Sequence, residues 1–355
     1  MHIVLLGGAG YIGAVATRHL AAQGHHVTVV DGLIYQRDDD PARLLPGATA
    51  FVHADLRDPL ALRKAVAGAD AVVHLGGLVG EPACAVDERL AVELNYASPV
   101  IAAQAAIEES VPHYVLFSSC SVYGQREGTV DEDATPNPLG IYARTKVAAE
   151  RTATAMLTGR AAVTVLRLAT VHGRSPRQRL DSVVNRMTAQ AVWTGHIPLN
   201  GGSQRRPLVH VTDVAAVLAA VVSAPAPEPR VFNVGADVRN FTIAEIAETV
   251  HAHVPGSRIE RGPERDEADA RDYRVSFAKL AATFPHASCP TGLSTGVREV
   301  ADAVAGKELG DPNQDEYDNY RGLIASRRSG RIAMLGSPEC DRLYEECAAI
   351  DWSAL

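Results

Sequence analysis

Three things are scarce in this 355-residue chain: aromatic residues, positive charge and cysteine. Aromatic residues make up 5% of the chain, and 34 Lys and Arg are outnumbered by 42 Asp and Glu, which gives a net charge of -8. Proteins that bind nucleic acid usually present a basic surface and aromatic platforms on which bases stack. The composition therefore predicts no nucleic-acid partner.

The five cysteines are an odd number and are widely spaced, without the CxxC pairs that metal sites and redox motifs favour. The 13 histidines show no ligand pattern such as HExxH. We therefore predict a reducing, cytoplasmic setting and no metal site.

Long apolar runs are also missing from the sequence. No run reaches the roughly 18 residues that a membrane span needs, and no basic segment precedes the first apolar stretch. From these two absences we predict that the protein has no membrane partner and no secretion signal.

What the chain does contain is a regular alternation of apolar runs and amphipathic segments, with 46% hydrophobic residues overall. Strands are predicted at 2–6, 27–30, 50–53, 71–75 and 114–117, with helical patterns between them. Strands that alternate with helices form parallel sheets whose ligands collect at the carboxyl ends of the strands. The length allows one large or two ordinary domains.

The first turn after a strand is rich in glycine. Gly7, Gly10 and Gly13 follow the first strand, and Asp31 closes the second strand eighteen residues after Gly13. Glycines there permit a tight turn and a close approach of backbone to pyrophosphate, and an acidic residue at this distance binds an adenosine ribose. Asp31 would repel a 2′-phosphate, which favours NAD, although Arg37 leaves NADP open.

A second group of residues follows the strand at 114–117. Ser118, Ser119 and Ser121 come at the end of that strand, and Tyr142 is followed at i+4 by Lys146. Tyr142 and Lys146 therefore share one helical face, where the ammonium stabilises a phenolate. These residues predict a proton-transfer site.

Together, GGAGYIG at 7–13, Asp31, SSCSVYG at 118–124 and YARTK at 142–146 resemble the extended short-chain dehydrogenase/reductase family, and its sugar-nucleotide epimerases and dehydratases in particular. The resemblance runs from His2 to about Ala305. It implies an α/β fold, a Rossmann-type doubly wound parallel sheet that binds NAD, and a smaller α/β substrate-binding lobe. We assign 1–170 to the NAD-binding domain, 171–305 to a partly interleaved nucleotide-sugar lobe, and 306–355 to a C-terminal extension.

The resemblance also assigns roles. Ser119 would bind the reacting sugar oxygen, Tyr142 would be the base, and Lys146 would hold the nicotinamide ribose. The expected cofactor-binding residues are Gly7, Gly10, Tyr11, Ile12, Gly13, Asp31, Asp55, Leu56, Leu75, Gly76, Gly77, Asn95, Ser118, Tyr142 and Lys146.

Substrate contacts are expected from Val79, Thr170, Asn185, Arg206 and Arg271. Relatives usually carry Asn at the position of Thr170. Arg205 is the alternative to Arg206 as the residue that pairs with the substrate diphosphate.

Two positions bear on the reaction type. Relatives that eliminate water carry an Asp-Glu pair directly after the catalytic hydroxyl, and this chain has Cys120 and Ser121 there. We therefore predict an isomerase of carbohydrate biosynthesis, a nucleotide-sugar epimerase that acts through a 4-keto sugar, with C4 as the expected carbon. A dehydratase or 4-ketoreductase, in which Cys120 could act as an acid, stays open, as does an NAD-binding regulatory protein without catalysis. A homodimer is the expected assembly.

The last fifty residues lie outside this resemblance. They are either a surface extension or an element that contacts a second subunit or covers the active site.

Overall fold

The computed structural model describes residues 1–35, 44–225, 230–262, 272–306, 308–309, 314–332 and 337–352. Two of the residues considered above, Arg37 and Arg271, lie outside these ranges.

Fourteen strands occur in the described residues. They are β1 (His2–Leu6), β2 (His26–Asp31), β3 (Ala50–His53), β4 (Ala71–His74), β5 (His113–Ser119), β6 (Thr129–Val130), β7 (Ala162–Leu168), β8 (Thr170–His172), β9 (His196–Leu199), β10 (Arg205–His210), β11 (Arg230–Val234), β12 (Asn240–Thr242), β13 (Arg258–Arg261) and β14 (Arg274–Val275).

Thirteen α-helices occur in the same ranges. They are α1 (Tyr11–Ala22), α2 (Pro59–Val66), α3 (Glu81–Val86), α4 (Glu88–Val92), α5 (Ser98–Glu108), α6 (Ile141–Leu157), α7 (Val183–Thr194), α8 (Val211–Ser223), α9 (Ile243–His253), α10 (Ala278–Thr283), α11 (Leu293–Ala305), α12 (Asn319–Arg328) and α13 (Pro338–Ala348).

The main sheet has seven strands in the order β11-β7-β5-β4-β1-β2-β3, and every neighbouring pair is parallel. Its central strands are almost wholly apolar because helices cover both faces, and two separate hydrophobic clusters lie on those faces. The strand order reverses between β1 and β4, which is where open α/β sheets bind ligands. The predicted Rossmann-type fold is confirmed.

The smaller lobe is built around β12, β10 and β8, with a parallel pair β13 and β9 beside them. A third apolar cluster joins α7, α9 and α11 of this lobe. One strand from the same half of the chain, β11, instead pairs with β7 at the edge of the main sheet. The division at residue 170 therefore stays a prediction.

The segment before β5 contains a composite helix. It consists of α4, a π-helical turn at Glu93–Ala97, and α5. Joined in this way, Glu88–Glu108 is the one helical stretch in the described residues that is long and apolar enough to span a membrane, and most of it is buried inside the protein.

Candidate active site

A cleft of about 1330 Å³ opens at the carboxyl ends of the central strands. Most of the predicted site residues line it, namely Gly7, Gly10, Tyr11, Ile12, Gly13, Asp31, Asp55, Leu56, Leu75, Gly76, Gly77, Val79, Ser118, Ser119, Ser121, Tyr142, Lys146, Thr170 and Arg206. Three predicted residues, Asn95, Cys120 and Asn185, do not line it.

The glycine turn brings two strand ends into close contact. Gly7 has φ of +83°, and a Cβ atom on it would lie 2.4 Å from the Cα of Gly76 at the end of β4. Gly10 precedes α1 and gives it no side-chain cap, so the first N–H groups of α1 are available at the cleft. A helix start of this kind binds phosphate groups.

Asp31 is held rigidly at the end of β2. Its two carboxylate oxygens accept hydrogen bonds from the backbone N–H groups of Ala9 at 2.9 Å and Leu33 at 2.8 Å. Burial raises the pKa of Asp31, and these two hydrogen bonds oppose that shift. The carboxylate has further acceptor capacity, which suits the hydroxyls of a ribose.

Tyr142 and Lys146 lie one turn apart on α6, and both side chains are buried. The Nζ atom of Lys146 donates to the backbone oxygen of Phe117 at 3.2 Å, its one hydrogen-bond acceptor among the described residues. Burial lowers the pKa of Lys146 to about 8, which Cys84 and Glu150 oppose. An ammonium has three donors, so this group suits a ligand that supplies further acceptors.

The serines after β5 form a small hydroxyl chain. Ser119 Oγ accepts a hydrogen bond from the backbone N–H of Ser121 at 3.1 Å and donates to Ser121 Oγ at 3.0 Å. Ser118 donates instead to Glu150, a buried carboxylate that pairs with Arg167 at 2.7 Å behind α6. Ser119 and Ser121 thus face the cleft from a short 3-10 turn at 120–123.

Cys120 points away from these hydroxyls. Its side chain is 1% exposed and packs in the core with Val122. Its Sγ atom donates to the backbone oxygen of Arg167 at 3.3 Å, and burial raises the pKa of the thiol. A thiol in this position does not line the cleft.

Asn95 and Asn185 act behind the cleft walls. Asn95 lies in the π-helical turn and forms two hydrogen bonds to the backbone of Leu78, at 2.8 and 3.0 Å, which fix the loop after β4. Asn185 accepts from the N–H of Gly173 and donates to Tyr11 Oη, both at 3.1 Å. Both asparagines therefore position loops that reach the cleft.

The small lobe contributes Thr170 and Arg206 to the cleft. The Arg206 side chain is 4% exposed, and its guanidinium donates to the backbone oxygen of Arg205 at 2.7 Å. Arg205 itself lines a separate surface pocket with Glu245 and Arg274.

Sequence analysis missed Glu81, which lines the cleft at the start of α6. Its carboxylate accepts from the N–H groups of Tyr142 at 3.2 Å and Ala143 at 3.4 Å. Gly140, the N-cap residue, has no side chain to do this, and a Cβ atom on it would lie 2.2 Å from Glu81 Oε2. The missing capping residue was the one available signal.

The C-terminal extension also reaches the cleft, which agrees with one of the alternatives considered for these residues. The lining residues that it supplies are Asp318, Asn319, Tyr320, Arg331 and Ile332. Leu323 of α12 is fully buried in an apolar cluster with Leu78 and Tyr142. α13 lies elsewhere, with Cys340 and Leu343 in the core beneath the main sheet.

The chemistry of the cleft fits a dinucleotide. It combines a fixed acidic group at the end of β2, an uncapped helix start and a buried ammonium with one acceptor in the described part of the chain. Within the described ranges, no group of three or more His, Cys, Asp or Glu could hold a metal ion.

Comparison with known proteins gives a family and a set of related folds. The model of the NAD dependent epimerase/dehydratase family matches residues 3–235. A probable UDP-arabinose 4-epimerase 1 from Oryza sativa subsp. japonica is 31% identical over 194 residues, which cover 50% of this chain and 45% of the rice protein. The chain thus matches about half the length of this curated relative.

Two solved structures are similar over most of the chain. MoeE5, in complex with UDP-glucuronic acid and NAD, is 27% identical with a TM-score of 0.75, over 87% of this chain and 100% of that one. TunA, an NAD-dependent NDP-hexosamine 5,6-dehydratase of tunicamycin biosynthesis, is 26% identical with a TM-score of 0.75, over 87% and 98%.

Proposed function

Because the chain belongs to the NAD-dependent epimerase/dehydratase family, we propose that it is an NAD-dependent nucleotide-sugar epimerase that inverts C4 through a 4-keto sugar. One observation carries this proposal: Ser119, Tyr142 and Lys146 line one cleft, and Cys120 is turned into the core. The bound NAD of MoeE5 and the epimerase activity in the name of the rice relative support it.

Side chains of the protein carry out the proton transfer. Tyr142, as phenolate, accepts the proton of the C4 hydroxyl and returns it at the end of the cycle. Ser119 would donate a hydrogen bond to the reacting oxygen by turning its hydroxyl away from Ser121 Oγ, the atom to which it donates at 3.0 Å in this structure. When bound, NAD would supply the hydride acceptor for the C4 hydrogen and the hydride donor for its return to the other face of the ring.

Lys146 stabilises the charge that this proton transfer creates. Its ammonium lies one helical turn from Tyr142 and is shielded from water, so its field on the phenolate is only weakly screened. The same ammonium has donors left for the nicotinamide ribose. Asp31 would hold the adenosine ribose at the opposite end, and the start of α1 would hold the pyrophosphate.

Water elimination is the second candidate, and two observations favour it. The similar structure of TunA is a 5,6-dehydratase, and Glu81 places a carboxylate in the cleft beside Tyr142. Glu81 is already bound to two backbone N–H groups of α6, however, and neither residue after Ser119 is acidic. Epimerisation needs only groups that already face the cleft. Elimination would also need an acid or a base, and Glu81 could act as one only after breaking its two hydrogen bonds to the start of α6.

The residues that bind the substrate are proposals as well. We propose that residues 171–305 hold the nucleotide, that Arg206 pairs with the substrate diphosphate, and that Val79 and Thr170 contact the sugar. Asn185 would support this side through Gly173 rather than by contact.

The cellular setting and assembly are proposals as well. We propose a cytoplasmic homodimer. All five cysteines are free and buried, which suits a reducing compartment. Size-exclusion chromatography with light scattering tests the dimer, and a monomeric mass at working concentration would rule it out.

The decisive experiment is incubation of the purified protein with UDP-sugars in deuterated water, with products followed by NMR. Inversion at C4 without deuterium incorporation is expected. Deuterium at C5, or loss of the C6 oxygen, would replace this proposal by elimination. A protein that binds NAD and converts no sugar in a panel of UDP-, dTDP-, GDP-, CDP- and ADP-sugars would indicate a regulatory role instead.

A further inference from the structure

Arg177 is a buried cation in the cleft wall whose donors are mostly unused. Its side chain is 6% exposed, and it lines the cleft. Among the described residues, its guanidinium has one hydrogen-bond acceptor, Asn319 Oδ1 at 3.0 Å. A guanidinium carries five N–H donors, and burying a cation without an anionic partner is unfavourable. No carboxylate in the described ranges forms an ion pair with Arg177, so its guanidinium has donors left for an anionic ligand.

Two neighbours fix the direction of this cation. Its planar group lies 4.8 Å from the centre of the Tyr35 ring, a cation–π contact, and Asn319 holds its edge. The Tyr35 hydroxyl is itself buried, with no hydrogen-bond partner in the described part of the chain. Arg177 is therefore held in place before any ligand arrives, which favours tight binding.

Asn319, which accepts the hydrogen bond from Arg177, belongs to the C-terminal extension. Asn319 is the first residue of α12. Hydrogen bonds and an ion pair attach α12 and the residues just before it to two sides of the cleft. On one side the hydroxyl of Ser326 donates to the backbone oxygen of Ile34, just after β2, and Arg327 pairs with Asp87 at 2.9 Å. On the other side the N–H of Leu180 donates to the backbone oxygen of Tyr317, at 2.7 Å.

The location points to the cofactor rather than to the sugar nucleotide. Ile34 and Tyr35 follow Asp31 by three and four residues, and Asp31 and Arg177 each lie within the other's electrostatic field. Arg206, another buried arginine of the cleft, comes from β10 of the small lobe. The two arginines thus come from different walls, and Arg177 is the one beside Asp31.

We propose that Arg177 contacts the diphosphate of NAD and that the segment 314–332 acts through Asn319 as a positioning element that keeps the cofactor bound between turnovers. An arginine fork matches a diphosphate because two N–H groups pair with two oxygens. Retention suits an epimerase, which must return the same hydride to the same sugar. This inference rests on the proposed NAD-dependent function and adds a residue and a segment to it.

Asn319→Asp is the most informative variant. A carboxylate at this position would bind Arg177 more firmly and neutralise it, so the fold should keep or gain stability while the cofactor loses its cation. Arg177→Gln removes the cation directly, and Arg177→Lys keeps charge without the planar fork. Arg328→Ala is the matched control, because Arg328 is an exposed residue of the same helix.

The measurement is the exchange of bound, isotopically labelled NAD against an excess of unlabelled NAD, with the full chain and each variant. Loss of one charge-assisted contact should speed release by about tenfold or more in Asn319→Asp and Arg177→Gln. Arg177→Lys should fall between these and the wild type, and Arg328→Ala should match the wild type. Thermal unfolding of each variant checks that the fold is intact.

Arg177 could contact either the diphosphate of NAD or that of the sugar nucleotide. Measuring UDP-glucose binding to the NAD-loaded protein distinguishes the two, and the affinity for UDP-glucose should change little in these variants. Weakened UDP-glucose binding with unchanged NAD exchange would overturn the inference in favour of a substrate contact. Unchanged NAD exchange in both Asn319→Asp and Arg177→Gln would overturn it outright. Failure of the wild type to bind NAD at all would instead refute the proposed function.

Discussion

The two walls of the cleft obtain their polar groups in different ways. The wall formed by β5 and α6 carries Ser119, Tyr142 and Lys146 close together in sequence, at spacings set by a strand end and one helical turn. The facing wall takes Arg177 and Asn319 from segments 142 residues apart, and a hydrogen bond joins the two side chains. Chemistry that needs local geometry can be recognised in a sequence, whereas a pair formed across the fold cannot.

The largest expected difference between the walls is catalytic. Tyr142→Phe removes the base and should lower turnover by about 100- to 10,000-fold while NAD stays bound. Tyr320→Phe is the matched change on the opposite wall, since Tyr320 also lines the cleft and is 45% exposed. It should keep turnover near that of the wild type. Equal losses from both substitutions would remove the distinction between the walls.

The next difference concerns pH and stability. The pKa of Lys146 is lowered to about 8 in the folded chain by burial. Between pH 8 and the usual lysine range the unfolded chain therefore holds one more proton than the folded chain, and the free energy of unfolding should rise with pH. The rise is at most about 3 kcal/mol.

Urea unfolding of the NAD-free protein between pH 7 and 10 measures this rise. Lys146→Met should abolish it and should be more stable than the wild type below pH 8, because the charged group no longer has to be buried. Arg328→Ala on α12 should leave the wild-type slope in place. A Lys146→Met protein with the same slope as the wild type would contradict the prediction.

A smaller effect is expected where the catalytic helix begins. Glu81→Ala removes the group that caps α6 and should destabilise the protein by about 0.5–2 kcal/mol, with some loss of turnover. Gly140→Ala should do much the same, because its Cβ atom would displace the Glu81 carboxylate. Thermal or urea unfolding of both single variants and the double variant checks this, and fully additive losses would show that the two residues act separately.

The smallest effect on activity is expected from Cys120→Ala. The thiol is in the core, so turnover should stay within about twofold of the wild type while stability falls by about 1 kcal/mol through the lost packing. Ser121→Ala, one residue further, should lower turnover by about tenfold, since Ser119 loses its hydroxyl partner. Steady-state kinetics and unfolding curves compare the two. A large loss of turnover in Cys120→Ala would revive the thiol as a catalytic acid.

The sequence by itself determined the parts of the protein that depend on local spacing. The strand, glycine turn and helix at the start of the chain predict the Rossmann-type sheet, because the alternation of apolar runs and the φ freedom of Gly7 act within a few residues. Asp31, Tyr142 and Lys146 were identified for the same reason, since each lies at a fixed distance from a turn or a helix start.

Only the tertiary structure decided which side chains face the cleft and which distant segments meet there. Cys120 and Ser121 are adjacent in sequence, but the 3-10 turn directs one into the core and the other toward the cleft. Glu81 replaces a cap that Gly140 cannot form, and Asn319 holds Arg177 across the cleft. Contacts of this kind depend on how helices and loops pack against the sheet. Such packing produces no periodic pattern in the sequence from which it could be predicted.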